Sequence, residues 1–438
     1  MGKDNFGISS KYDGDLAYRI VVVRYAMLGN RFARYKEVKI ATDVSDKTVA
    51  YVNEHMDTLS GISVNEDMIR KYNYSEYFSS IIGYTGPISE SEYTALHKKN
   101  KDYTQNDTVG KAGLEQYYET YLRGKNGEQK FYIDNVGRIS EIISSTDSVA
   151  GDDLYLSIDA DLQKATYLAL QNEIAAIVYS NIKSGEIPIN DVYTALIGNS
   201  VINTEHFSKS KASDTEKSVL SVFKSRQKTT LGKIKQELTS SPEALNTMSD
   251  EVLDEFTYII SMLKDDQVLL KNEIDTSDSV YQKWKDQKIS PKEYLNYCIT
   301  QHWIDISQLN VDEKYADSTE VYDALCKYIL KNIKTDTEFS KIIYQYMITR
   351  GEISPRQLCL ILFDQGVLDY DDATVNKLKN GSLSPRDFLM KKIYNIEITP
   401  AQLALEPCIG SCVVTDEKTG EIRAMVSYPG YDSNKLAN

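Results

Sequence analysis

The chain has 438 residues, 41% hydrophobic and 26% charged, a balance that excludes the disordered and fibrous classes and allows two or three domains, each with its own core. Its 64 acidic residues outnumber 50 basic ones, giving a net charge of −14, which disfavours a nucleic-acid partner because phosphate binding needs a clustered positive face. Cys298, Cys326, Cys359, Cys408 and Cys412 show no metal-type pair spacing, although Cys408 and Cys412 are close, and His55, His97, His206 and His302 are scattered. The cysteines therefore read as reduced, buried small hydrophobes, and no metal or cofactor is expected.

In chain order, Met1–Asp15 lacks the basic-then-apolar pattern of a signal peptide. The apolar run from Ile20 is cut by Arg24, far short of the roughly 20 residues a membrane helix needs. Asp15–Ala33 predicts a helix with Leu16, Ile20, Val23 and Met27 at helical spacing, and Ser45 an N-cap for a second helix carrying Val49, Val52 and Met56. Short strands are predicted at Ile62–Val64 and Met68–Tyr72, then a helix around Tyr74–Tyr84, and Ser89 with Glu92 forms a capping box for a further short helix. This is an α+β module.

Gly110–Gly127 follows. Leu114, Tyr117, Tyr118, Tyr121 and Leu122 form one apolar stripe on a helix entered through Gly110 and Gly113 and left through Gly124. By itself this is either a capped surface helix or a closely folded junction, since glycines serve where φ is positive or another backbone passes near. Glu119 and Arg123 are spaced for a surface ion pair, while a partner for Glu115 is not legible. Phe131–Ile133 and Arg138–Ile143 flank a turn at Asp134-Asn135-Val136-Gly137. Leu154, Leu156 and Ile158 alternate as a strand, and Asp159 and Asp161 open a helix with Leu162, Ala165, Thr166 and Ala169.

From about Tyr179 to Ile398 the sequence is helix-rich. Ser290-Pro291, Ser354-Pro355, Ser384-Pro385 and Thr399-Pro400 each combine an N-cap, proline at the first helical position, an acid or amide at the third, and apolar residues before and after. Their spacing is irregular, which argues against a solenoid. Tyr258, Tyr281, Tyr294, Tyr297, Tyr315, Tyr322, Tyr328, Tyr344 and Tyr346 are expected to fill a helical core. After Gly410, Val413-Val414 and Ile422–Val426 flank Asp416–Gly420 as a hairpin.

The ordered pattern of Gly110, Lys111, Gly113, Leu114, Glu115, Tyr118, Glu119, Leu122, Arg123, Gly124 and Gly127 resembles the non-catalytic dimerisation or pedestal domain of class B penicillin-binding proteins. It is preceded by Gly83 and Gly86 in Ile82–Gly86 and followed by Asp134, Gly137 and Arg138. The segments from Gly151 and from Gly410 resemble the opening of that family's transpeptidase domain. The resemblance implies a division into residues 1–150 (pedestal), 151–178 (start of the transpeptidase domain), 179–398 (helical insertion) and 399–438 (its continuation). It implies structural roles for the glycines and Glu115. The arginine and glycine motifs usual near the start of the family's module are not found.

What the resemblance implies for the intact parent is a peptidoglycan D,D-transpeptidase that binds β-lactams on the extracytoplasmic face of the bacterial membrane. Its anchor would lie outside this chain, and cell-wall assembly or division proteins would be partners. Three strings imitate the family's catalytic motifs. S-x-x-K occurs at Ser180–Lys183, Ser208–Lys211, Ser221–Lys224, Ser225–Lys228 and Ser261–Lys264, S-x-N at Ser63–Asn65, and K-T-G at Lys418–Gly420. The first is too frequent to be informative, the second precedes the catalytic domain, and the third sits in a hairpin turn. No catalytic residue is assigned, and the nucleophile is expected beyond Asn438. Two readings stand: a non-catalytic portion of a transpeptidase, favoured by the bare sheet edge expected at Gly410–Tyr428, or a non-catalytic envelope scaffold that binds cell-wall assembly partners.

Overall fold

Start and stop signals recur at short intervals along this chain, and the fold is helix-rich as a result. The computed structural model describes residues 8, 11, 12, 14–29, 38–59, 61, 62, 64, 70–105, 107–133, 139–240, 243–309, 311 and 317–437. They form helices with three two-stranded antiparallel sheets. Two compact units emerge, one running to Ile158 and resuming at Gly430, the other spanning Asp159–Pro429.

The first unit contains α1 (Gly14–Gly29), α2 (Asp46–Glu54), α3 (Ser75–Ile82), β1 (Thr85–Pro87), α4 (Glu90–Lys99), β2 (Thr108–Gly110), α5 (Gly113–Tyr117), α6 (Glu119–Leu122), β3 (Glu128–Ile133) and β4 (Ile139–Thr146). β1 pairs with β2, and β3 with β4. The predicted caps form: the Ser45 hydroxyl accepts from the Thr48 amide, and Ser89 and Glu92 make a complete capping box. Residues 30–33 of the first predicted helix lie outside the described residues, as do Met68 and the 134–138 turn between β3 and β4. Ile62, Val64, Lys71 and Tyr72 belong to no strand, correcting the short strands predicted there. The 154–158 segment is likewise irregular, with Leu154 39% and Leu156 41% exposed. Alternation alone does not make a strand, because the backbone needs a neighbour to pair with.

The second unit contains α7 (Ala160–Ser184), α8 (Ile189–Gly198), α9 (Asp214–Thr239), α10 (Asp250–Asp265), α11 (Ser279–Lys285), α12 (Pro291–Thr300), α13 (Ser318–Ile333), α14 (Thr337–Thr349), α15 (Pro355–Asp364), α16 (Asp372–Asn380), α17 (Pro385–Tyr394), α18 (Pro400–Leu403), β5 (Gly410–Thr415) and β6 (Ile422–Tyr428). The last helix, α19 (Ser433–Ala437), belongs to the first unit. α7 is capped by Asp159, where the sequence indicated a helix start, and continues unbroken past residue 178. Its buried face is Gln163, Tyr167, Gln171, Ile174 and Val178, whereas Leu162 and Ala165 of the predicted stripe are exposed. The reason is β6: the Gln163 carboxamide donates to the Met425 carbonyl at 2.9 Å and accepts from the Met425 amide at 2.8 Å, while the Asp159 amide donates to Arg423 O. This side of the hairpin is therefore bonded, correcting the expectation of a wholly bare edge.

One junction recurs between the helices of this unit. At Gln287, His302, Gly351, Gly366 and Ile396 the chain turns through positive φ. The following amides reach back to close the helix end, as in Gly351 N to Ile348 O and Glu352 N to Met347 O. Two residues after each turn comes a buried aliphatic group, Ile289, Ile304, Ile353, Leu368 or Ile398. At three of these junctions the next residue, Ser290, Ser354 or Thr399, caps the following helix, and Ser384 caps α17 in the same way after the turn at Gly381. Ser354 and Thr399 make full capping boxes, and the residues at the fourth helical position, Tyr294, Leu358, Phe388 and Leu403, are buried. Each buried aliphatic contributes about 1.5–3 kcal/mol. The expected tyrosine core is formed in part: Tyr294, Tyr322 and Tyr344 are buried, with Tyr344 stacked on Phe223 at 4.2 Å, while Tyr315 lies outside the described residues. Cys298, Cys326 and Cys359 are buried free thiols.

Ile396 is a β-branched residue held at φ 59°, where glycine stands in the equivalent turns at Gly351 and Gly366. Ile396→Gly should therefore raise the stability of this unit by about 1 kcal/mol in denaturant titration; a loss would show that its half-buried side chain outweighs the strain.

Glu251 is held by Arg226 at 2.8 Å and Arg350 at 2.6 Å, but its neighbour on α10, Glu255, is 2% exposed. Burial, reinforced by the Glu251 charge, pushes the Glu255 carboxyl up to about 8. The folded state thus keeps this proton to about pH 8, whereas the unfolded chain releases it near pH ~4.3, so stability falls as pH rises across that window. Glu255→Gln should show a smaller drop in thermal midpoint than the wild type between about pH 5 and about pH 8 in calorimetry. Equal drops would mean that Glu255 folds ionised.

Candidate functional site

The stretch around Gly110–Gly127 does not fold as the single amphipathic helix its periodicity suggests. The chain breaks at Tyr118 (φ −104°, ψ 20°), separating α5 from α6. The predicted stripe is largely outside: Tyr117 is 79% and Tyr121 62% exposed, and Leu114, Tyr118 and Leu122 are half-buried. The buried residues are Glu115 and Glu119.

Each carboxylate has partners that hydrophobic spacing could not disclose. Arg70 grips Glu115 with two donors, Nε to Oε1 at 2.8 Å and Nη2 to Oε2 at 3.0 Å. Glu119 accepts from the Gly110 amide at 2.7 Å and from the Tyr103 hydroxyl at 3.2 Å. Burial pushes the Glu119 carboxyl up, and the Gly110 amide, the Tyr103 hydroxyl and Arg123 offset part of that rise. Burial, with the Glu119 charge, raises the Tyr103 hydroxyl to about 12, keeping it a donor at neutral pH. The surface pair predicted between Glu119 and Arg123 is not made. Arg123 lies over the Tyr103 ring at 4.0 Å and pairs with Asp107.

The other motif residues assemble around these two groups. A side chain at Gly83 would meet Ala112 O at 2.0 Å and one at Gly113 would meet Ile81 O at 2.4 Å, both with positive φ, so the two backbones pass in contact. Gly86 pairs with Val109 across β1 and β2. The Lys111 amide donates to Tyr84 O at 2.8 Å, and its ammonium pairs with Glu92, whose carboxyl the Lys111 and Ser89 hydrogen bonds hold down at about 2. Gly124 abuts Val149 O and Gly127 abuts Thr146 O. Asp134, Gly137 and Arg138 lie outside the described residues.

The same unit receives the last segment of the chain. Asn434 behaves as a strand neighbour to Tyr72, accepting its amide at 2.9 Å and donating to its carbonyl at 3.0 Å. The Tyr431 hydroxyl donates to Ser79 O at 2.9 Å and the Ser433 amide to Ser75 Oγ at 2.6 Å. Tyr431 to Asn434 thus hold the entry and the body of α3. Sequence reasoning missed Arg70, Tyr103 and Asn434. Only Arg70 had a local signal, a cation at the end of a weakly apolar run, and nothing nearby named its partner.

Most of the described imitations of catalytic motifs lie at the surface. The serines and lysines of the first four S-x-x-K strings are exposed, Ser63 lies outside the described residues, and no serine–lysine hydrogen bond forms among the described matches. Lys418 is exposed in the β5–β6 turn, where Asp416 Oδ1 accepts from the Lys418 and Thr419 amides. No group of three or more metal-ligating side chains occurs among the described residues. No helix among them is long and apolar enough to cross a membrane.

Residues 9–156 match the penicillin-binding protein dimerisation domain. The N-terminal unit is thus similar to the dimerisation domain of penicillin-binding proteins. Over 157 residues the chain is 29% identical to peptidoglycan D,D-transpeptidase MrdA of Salmonella typhimurium (strain SL1344), covering 35% of this chain and 25% of that protein. Over 136 residues it is 35% identical to penicillin-binding protein 2A of Bacillus subtilis (strain 168), covering 31% and 19%. The matched part thus spans a quarter or less of these curated relatives. A solved structure of penicillin-binding protein 2B from Streptococcus pneumoniae (strain 5204) is 23% identical with a TM-score of 0.25, covering 42% of this chain and 30% of that one.

In this dimerisation domain the Arg70–Glu115 fork is half in water on the arginine side (42% exposed) and buried on the glutamate side (6%). Glu115→Ala should destabilise the N-terminal unit by about 2 kcal/mol in urea unfolding of the full chain, less than for a fully buried pair because the freed arginine can hydrate. Wild-type stability in that variant would show that the fork contributes nothing.

Proposed function

We propose that this chain is the non-catalytic portion of a peptidoglycan D,D-transpeptidase whose intact form cross-links stem peptides by serine acyl transfer and binds β-lactams. The observation that carries the reading is the match of residues 9–156 to the dimerisation domain, together with the closure of its motif residues around Glu115 and Glu119. In this reading the first unit is a pedestal, the helices of residues 179–398 are an insertion, and α7 with the β5–β6 hairpin opens the transpeptidase domain. The intact protein would stand on the extracytoplasmic face of the bacterial membrane, near partners that assemble or divide the wall.

Acylation requires a serine beside a base and an oxyanion hole in a water-excluded cleft. No serine–lysine hydrogen bond forms in the described S-x-x-K strings. The 438-residue protein should remain unlabelled by a fluorescent penicillin under conditions in which an intact class B enzyme is labelled covalently. A penicillin-competed covalent band on this chain would overturn the non-catalytic reading.

A further inference from the structure

The helical unit contains a cavity of about 340 Å³ between α10, α11 and the short turn at Leu245–Thr247, in the range of small-molecule sites. Its apolar lining includes Leu245 and Ile260, and Trp284 forms a wall. The indole is held by face-to-face stacking on Tyr294, 4.5 Å away at 6°, so this wall is fixed before any ligand arrives. Lys264, Lys285 and Ser261 line the same space. No ion pair among the described residues includes either ammonium; the adjacent acid, Asp286, is paired with Lys288 at 2.7 Å and also feels the Lys285 charge. Ser261 and Lys264, one of the S-x-x-K strings, line this cavity together.

We infer that this cavity binds a small organic anion, its carboxylate held by Lys264 and Lys285 and its flat apolar body lying against Trp284. Two cations without an ion pair, in one recess of a chain with net charge −14, concentrate positive potential where most of the surface repels anions. Lysine suits a carboxylate head as a point charge with rotatable donors, and Ser261 adds a hydroxyl donor. The rigid indole and aliphatic floor favour a ring over a flexible chain. The role is binding, since Ser261 has no basic partner, and it is independent of how the N-terminal unit is read.

The test is calorimetric titration of the full chain with 2-naphthoate, its neutral counterpart 2-naphthamide, and acetate. 2-Naphthoate should bind saturably, at least about tenfold more tightly than either comparison ligand, and weaken as salt is raised. Lys264→Gln and Lys285→Gln should each weaken it several-fold and the double variant should remove it, with circular dichroism unchanged because Lys285 is exposed and Lys264 only half-buried. Lys283→Gln, on the same helix but outside the cavity, should bind as wild type. Absence of saturable binding, equal affinity for 2-naphthamide, or wild-type binding by the double variant would overturn the site.

Discussion

Two buried carboxylates set the architecture of the N-terminal unit. Removing Glu115 and Glu119 from water is costly unless donors meet them, and the donors come from distant places: Arg70 before α3, the Gly110 amide at the end of β2, and Tyr103 in the loop after α4. Meeting them forces α5 and α6 apart at Tyr118 and draws the 81–83 and 112–113 backbones into contact. The glycines of the motif follow from that contact. A side chain at Gly83 or Gly113 would displace the backbone that brings the amide and arginine donors within reach of the carboxylates.

The helical unit rests on a different device. Its junctions repeat one local grammar, in which a helix closes through a residue at positive φ, a buried aliphatic group follows two positions on, and a hydroxyl often caps the next helix. Because every step is local, the unit can change direction many times without long loops. Charge is tolerated inside it where partners converge: Glu251 lies between Arg226 and Arg350, and Glu216 receives His206 at 2.7 Å, Gln365 at 2.7 Å and the Ser213 amide at 2.7 Å. At Glu255 burial and the Glu251 charge outweigh the attraction of Lys233 and Arg226, and the carboxyl keeps its proton.

Much of this was legible before any coordinates. The caps at Ser45, Ser89, Asp159, Ser290, Ser354, Ser384 and Thr399 stand where the residues placed them, and Lys418-Thr419-Gly420 lies in the turn of a hairpin. The repeat of the junction was visible only in part, because the positive-φ residue is glycine at Gly351 and Gly366 but glutamine, histidine or isoleucine at Gln287, His302 and Ile396. Periodicity misled at Leu114–Leu122, at Leu154–Ile158 and along α7, where polar side chains with remote partners occupy the buried positions.

The sequence by itself determined where the capped helices begin and which motif joins the chain to its relatives, because caps and proline act within about four residues and need no partner elsewhere. Only the tertiary structure decided which faces are buried. Asn434 completes Tyr72 and Gln163 completes Met425 as surrogate strand partners, and Arg70 neutralises Glu115, across 362, 262 and 45 positions of chain. A hydrogen bond of that kind leaves no local signature, since its strength depends on a donor and an acceptor meeting away from water. The motif at Gly110–Gly127 therefore announced the family, while the reason for its residues lay in the partners that folding brings to them.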